Sequence, residues 1–227
     1  MNQSPAGARE ALGPLARVGW LSRQPREFQS AISRVGRWRE FKPGEVIYLA
    51  GDEPDGLYGL ADGALQMSFP LVGAEEVVVY RAEPGFWIGE AAILADQPRF
   101  VTLVAATAAR VLFLPKSALL RMIEADPRHW RAFYEQSVGN QIITVTLLAE
   151  VLSLTPRARV ARLLLRLADG EGIVEGNQED LARLLGMTRS SIRRAVGNLV
   201  ENGIVSSGYG KLVIEERDRL EALTTEA

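Results

Sequence analysis

Residues 177–199, NQEDLARLLGMTRSSIRRAVGNL, constrain the fold more tightly than any other stretch, because they specify two short helices and the corner between them. Asn177 offers a side-chain acceptor to the free amides of a helix start, and Asp180 places an acid near its positive end. Leu181, Leu184 and Leu185 fall on one inward face, and Gly186 suits the left-handed conformation that ends helices. Thr188 caps a second helix, in which Ile192, Val196 and Leu199 recur at intervals of four and three and form one buried stripe. Two helices joined by a tight glycine corner make a helix-turn-helix.

Between positions 188 and 196 stand three arginines and no acids: Arg189, Arg193 and Arg194, with Ser190 and Ser191 among them. A helix start with this face can enter a major groove, where guanidinium groups chelate guanine or hold phosphates and serine contacts either. Asn202-Gly203, a strand over 204–207, the turn Gly208-Tyr209-Gly210-Lys211 and a strand over 212–214 then give a hairpin wing, with Lys211 at its tip as a phosphate contact. The candidate DNA-contacting residues are therefore Asn177, Thr188, Arg189, Ser190, Ser191, Arg193, Arg194 and Lys211. A basic helix face can also be merely solvated, and a helical hairpin can dock on protein. The ordered run of cap, corner, stripe, basic face and wing favours double-stranded DNA.

With 227 residues, 47% of them hydrophobic and 24% charged, the chain suits two compact globular domains. A net charge of −2 argues against unselective adhesion to nucleic acid, so any such contact is local. The lack of cysteine excludes disulfides and iron–sulfur ligation, and the single histidine, His129, excludes a multi-histidine centre; no metal site is expected. Residues 1–15 lack the apolar core of a secretory signal, and no apolar run approaches the roughly 20 residues that span a bilayer. A cytoplasmic chain with no membrane partner is expected.

From residue 41 to about 114, short apolar or alternating segments at 46–49, 56–60, 64–69, 77–80 and 110–114 are separated by Lys42-Pro43-Gly44, Gly51-Asp52-Glu53-Pro54, Ala61-Asp62-Gly63 and Glu83-Pro84-Gly85. That is the pattern of a small β-roll, or of an all-β sandwich with no ligand. A short helix over 116–124 follows, and Asp126-Pro127 opens a longer one over 127–153. Along it Tyr134, Val138, Gln141, Val145, Leu148 and Leu152 are spaced four, three, four, three and four, the seam of a two-stranded coiled coil and hence of a homodimer. A second stripe of Trp130, Phe133, Ile143, Leu147, Val151 and Leu154 is expected to pack on the roll; a core helix without a dimer is the alternative. Leu154-Thr155-Pro156 marks the hinge, and Pro156 opens a helix burying Val160, Leu163, Leu164 and Leu167. The expectation is an α+β chain: arm and roll over 1–126, dimerisation helix over 127–153, winged helix-turn-helix over 154–227.

Lys42-Pro43-Gly44-Glu45, Gly51, Gly63, Gly85, Gly89-Glu90, Arg99, the long helix and the helix-turn-helix together resemble the cyclic-AMP receptor protein and fumarate-nitrate regulator (Crp/Fnr) family over about residues 41–214. The resemblance implies a cyclic-nucleotide-binding-like jelly roll that senses a signal, paired long helices, and two recognition helices on a near-palindromic site. It also implies a ligand cassette in which Glu90 accepts from a ribose hydroxyl, amides around Gly89 and Ala91 face the phosphate, and Arg99 supplies the cation. Phe100 stands where a hydroxyl residue belongs, which removes a hydrogen bond worth roughly 1.5 to 3 kcal/mol to a charged acceptor and adds bulk to the pocket. Cyclic AMP binding is therefore expected to be weak or absent; Glu90 and Arg99 either form a structural ion pair or bind another small ligand. Ser190 replaces the glutamate of many relatives, which predicts a different target sequence. His129 alone gives haem no support. No catalytic constellation is evident. The expected function is transcription regulation on DNA, with RNA polymerase as a further partner; the alternative is a nucleotide-binding sensor acting through protein partners.

Overall fold

The computed structural model describes residues 12–70 and 76–226; the expected N-terminal arm lies outside these residues through position 11. The chain divides into two compact units, Met1–Ile142 and Ile143–Ala227.

In the first unit, strands β1 (Arg37–Phe41), β2 (Val46–Tyr48), β3 (Gly56–Asp62), β4 (Leu65–Pro70), β5 (Glu76–Ala82), β6 (Trp87–Ile88), β7 (Thr102–Ala105) and β8 (Ala109–Pro115) build the roll. They form two four-stranded antiparallel sheets, ordered β1-β8-β3-β6 and β2-β7-β4-β5. The apolar run of β8 reflects burial on both faces. Val111 and Phe113 point between the sheets with Tyr58, Leu65 and Leu103, whereas Leu112 and Leu114 face a second core. That core is covered by a 3-10 turn (Gly13–Ala16), α1 (Gly19–Ser22), α2 (Arg26–Val35) and α4 (Lys116–Ala125). The short α3 (Glu90–Leu94) follows β6. In that second core Trp20 meets Trp87 edge-on at 5.4 Å and Phe28 at 5.6 Å. His129 belongs here as well: its ring stacks edge-on against Phe28 at 5.2 Å, and Nδ1 lies 2.9 Å from the Met122 carbonyl.

The long helix, α5 (His129–Ser153), begins two residues later than expected, because the Asp126 carboxylate accepts from the Arg128 amide ahead of it. Of the seam, Tyr134, Val145, Leu148 and Leu152 are exposed, at 62%, 57%, 56% and 77%; Gln141 is also exposed and Val138 half-buried. The second stripe does not pack on the roll as one surface. Phe133 is fully buried there, but Trp130 and Val151 are exposed, and the stripe beyond Ile142 belongs to the other unit. The division into compact units therefore falls within α5. Glu150, in the last turns of α5, pairs with Arg162 at 3.0 Å and ties that end of the helix to the second unit.

The second unit contains α6 (Pro156–Leu167), β9 (Ile173–Glu175), α7 (Gln178–Leu185), α8 (Arg189–Glu201), β10 (Val205–Gly208), β11 (Lys211–Ile214) and α9 (Arg217–Leu223). Val160, Leu163, Leu164, Leu181, Ile192, Val196, Leu199, Leu212 and Leu220 form one core. The Thr155 hydroxyl caps α6 by accepting from the Ala158 amide at 3.2 Å.

Candidate nucleic-acid interface and effector cassette

The α7–α8 corner is built by local chemistry that holds the basic face in place. Asn177 Oδ1 accepts from the amides of Glu179 and Asp180 at 2.9 and 3.0 Å, and the Asp180 carboxylate accepts from the Asn177 amide at 3.2 Å. This reciprocal capping box satisfies helix-end donors that have no partner within the helix. Gly186 ends α7 at φ 57°, ψ 38°, a left-handed conformation that costs glycine little. The Thr188 hydroxyl accepts from the Ser191 amide at 3.2 Å and lies 3.0 Å from the hydroxyls of Ser190 and Ser191, so its first task is the cap of α8. With Ile192, Ala195, Val196 and Leu199 buried, Arg189, Ser190, Arg193 and Arg194 are left exposed.

These cations are not equivalent. Arg189 Nη2 donates to Glu179 Oε1 at 2.6 Å, whereas no acid among the described residues is paired with Arg193 or Arg194. The wing forms by pairing β10 with β11, with Gly208 opposite Lys211 and a turn at Tyr209 and Gly210. Lys211 therefore opens the second strand, and the fully exposed Tyr209 sits at the apex. The third strand, β9, places Glu175 in register beside Lys211.

In the roll the cassette charges face inward. Arg99 is 3% exposed. Its Nη2 donates to Asp55 Oδ1 at 3.0 Å and to the Gly56 carbonyl, Nη1 donates to the Gly89 carbonyl at 3.3 Å, and the guanidinium lies 4.2 Å from the Tyr48 ring centroid. Gly89 adopts φ 118°, and a Cβ there would lie 2.5 Å from Arg99 Nη1, so glycine is required both for the backbone and for the approach of the guanidinium. Glu90 is 2% exposed. Its Oε1 accepts from Ser137 Oγ and Asn140 Nδ2 of α5, each at 3.1 Å, while Gln136 and Asn140 both donate to the Trp87 carbonyl. Burial pushes the Glu90 carboxyl above the usual range, against the opposing pull of these hydrogen bonds. Glu90 Oε2 and Arg99 Nε are buried without a hydrogen-bond partner.

Residues 38–126 match the cyclic nucleotide-binding domain, and residues 158–223 match the Crp-like helix-turn-helix domain. The HTH-type transcriptional regulator Cmr of Mycobacterium tuberculosis is 30% identical over 203 residues, covering 87% of this chain and 80% of that protein. The Cyclic AMP receptor protein of Thermus thermophilus is 28% identical over 204 residues, with 88% and 93% covered. The structure of FixK2 from Bradyrhizobium japonicum shares the fold, at a TM-score of 0.73 and 22% identity over 85% of this chain and 99% of that one. The chain belongs to the Crp/Fnr family.

As a Crp/Fnr transcription regulator it carries its DNA-binding helix-turn-helix in the second unit. The structure brings together Asn177, Thr188, Arg189, Ser190, Ser191, Arg193 and Arg194 along the α7–α8 corner. Within the cassette it brings together Gly89, Glu90, Ala91 and Arg99 but not Phe100, which is 57% exposed. Phe100 lies in the bend that precedes β7, between the buried Arg99 and Val101, and is turned to solvent there. The Glu90–Arg99 ion pair, one of the two alternatives for the cassette, is absent among the described residues, because each found another partner. Sequence reasoning missed Asp55, Ser137, Asn140 and Glu179. For Glu179 a signal existed in the acid of the capping segment; the others are brought close only by tertiary structure.

Proposed function

We propose that this regulator acts as a homodimer paired along the exposed α5 seam of Tyr134, Val138, Gln141, Val145, Leu148 and Leu152, and reads a near-palindromic duplex with two copies of α8. The observation that carries this reading is the one-sided distribution on α8: Ile192, Val196 and Leu199 are buried while Arg189, Arg193 and Arg194 are exposed. Four exposed apolar side chains in the α5 seam, Tyr134, Val145, Leu148 and Leu152, support pairing, since an uncovered apolar stripe of this spacing is stable mainly against a second helix. Arg189 and Arg194 contact bases, with Asn177, Ser190, Ser191, Arg193 and Lys211 holding phosphates. Work in the cytoplasm with RNA polymerase as the downstream partner follows from this role.

Cyclic AMP fits the cassette poorly. A phosphate would have to displace Asp55 from Arg99 and would find no hydroxyl from Phe100. The two orphaned buried atoms, Glu90 Oε2 and Arg99 Nε, are consistent with a different small ligand. Selection of duplexes from a random pool, with light scattering of the purified protein, tests the proposal. Recovery of a two-half-site sequence by a dimer is expected; a monomer indifferent to every duplex would instead favour a sensor that works through protein partners.

A further inference from the structure

Glu179 sits among the proposed DNA contacts, two residues past the cap at Asn177, and holds the guanidinium of Arg189 at 2.6 Å. Its acidic neighbour Asp180 is committed to the capping box and to Arg183. Both partners of the Glu179–Arg189 pair are exposed, at 51% and 73%, and an ion pair between exposed groups adds little to folding stability. A carboxylate on this surface also repels every phosphate that approaches, which weakens binding to all duplexes alike. Stability and raw affinity therefore both fail to explain it.

Positioning does explain it. A guanidinium has five N–H donors, and Glu179 engages Nη2, fixing a long side chain whose alternative is to settle on the nearest phosphate. Arg193, exposed and not paired with an acid among the described residues, and the exposed Lys211 remain to supply phosphate attraction. We infer that Glu179 is a specificity-determining positioning residue that keeps Arg189 a reader of base edges, lowering affinity for DNA in general while raising discrimination. The inference rests on the proposed reading of α8.

Fluorescence anisotropy titrations of the full chain test it, using the selected duplex and a random duplex at two salt concentrations. The proteins are the parent, Glu179→Ala, Glu179→Gln, Arg189→Ala and the Glu179→Ala/Arg189→Ala double variant, each checked by circular dichroism. Glu179→Ala is expected to bind random DNA several-fold more tightly and to lose about tenfold in the ratio of selected to random affinity. Glu179→Gln keeps an acceptor without the charge and recovers part of that ratio. In the Arg189→Ala background, the same Glu179→Ala change leaves the ratio unaltered. Equal shifts on both duplexes with Arg189 present would overturn the inference and leave Glu179 a passive negative charge. Failure to recover any preferred duplex with the parent protein would remove the α8 reading itself, a distinct result.

Discussion

Arg99 in the roll and Arg194 on α8 are the same side chain put to opposite uses. Arg99 is almost fully buried, spread over Tyr48 and held by Asp55 and two backbone carbonyls. Arg194 is exposed on a helix whose other face is packed with Ile192, Val196 and Leu199. The first guanidinium completes the protein's own structure, and the second is left for a partner. Charge therefore does not mark a binding site in this molecule; the burial and the partners of the charge do.

The largest test of that contrast is Arg99→Ala, which removes a donor from each of the Gly56 and Gly89 carbonyls and opens space beside Tyr48. A loss of about 3 kcal/mol in urea unfolding is expected, discounted from a fully buried pair because Asp55 is half exposed. An unchanged midpoint would erase the distinction. Arg194→Ala is expected to behave inversely: stability stays within about 0.5 kcal/mol, while discrimination between selected and altered duplexes falls by about 1 to 3 kcal/mol in competition titrations. Smaller again is Lys211→Ala. It should weaken selected and random duplexes equally, by under about 1 kcal/mol, and reduce the salt slope of binding by about one.

The winged unit was legible in sequence because its determinants are local. Asn177, Gly186 and Thr188 each act within a few residues, and the structure places each where the cap and corner rules put it. The roll was legible as a class but not in detail. β1, RWREF, pairs only as an edge strand and shows no apolar alternation, and β6 has two residues, so neither leaves a periodic signal. The partners of Arg99 and Glu90 were illegible for a different reason. Asp55 and Asn140 stand 44 and 50 residues away in the chain, and only the closing of β3 and α5 around the cassette brings them into contact.

Glu90 gives a gentler test, read as a slope with pH. Burial raises its carboxyl above the unfolded value, so the folded state holds the proton more tightly. The stability from that proton is full below the unfolded pKa, about 4.3, and is lost as pH rises through the raised folded value. Glu90→Gln keeps an acceptor for Ser137 and Asn140 but cannot ionise. Its stability relative to the parent should therefore climb with pH across that window in thermal melts, and a flat difference would show that the buried carboxyl is not the cause.

The smallest effect is expected from Phe100→Ser. The parent side chain is 57% exposed, so stability should move by no more than about 0.5 kcal/mol. The change supplies the hydroxyl that a phosphate cassette uses, yet calorimetry should still find cyclic AMP binding weaker than micromolar. Asp55 and the Gly56 and Gly89 carbonyls continue to hold both terminal nitrogens of Arg99, and one exposed hydroxyl does not release them. Micromolar binding by Phe100→Ser would mean that the missing hydroxyl alone had closed the cassette, and that the inward partners of Arg99 give way to a ligand.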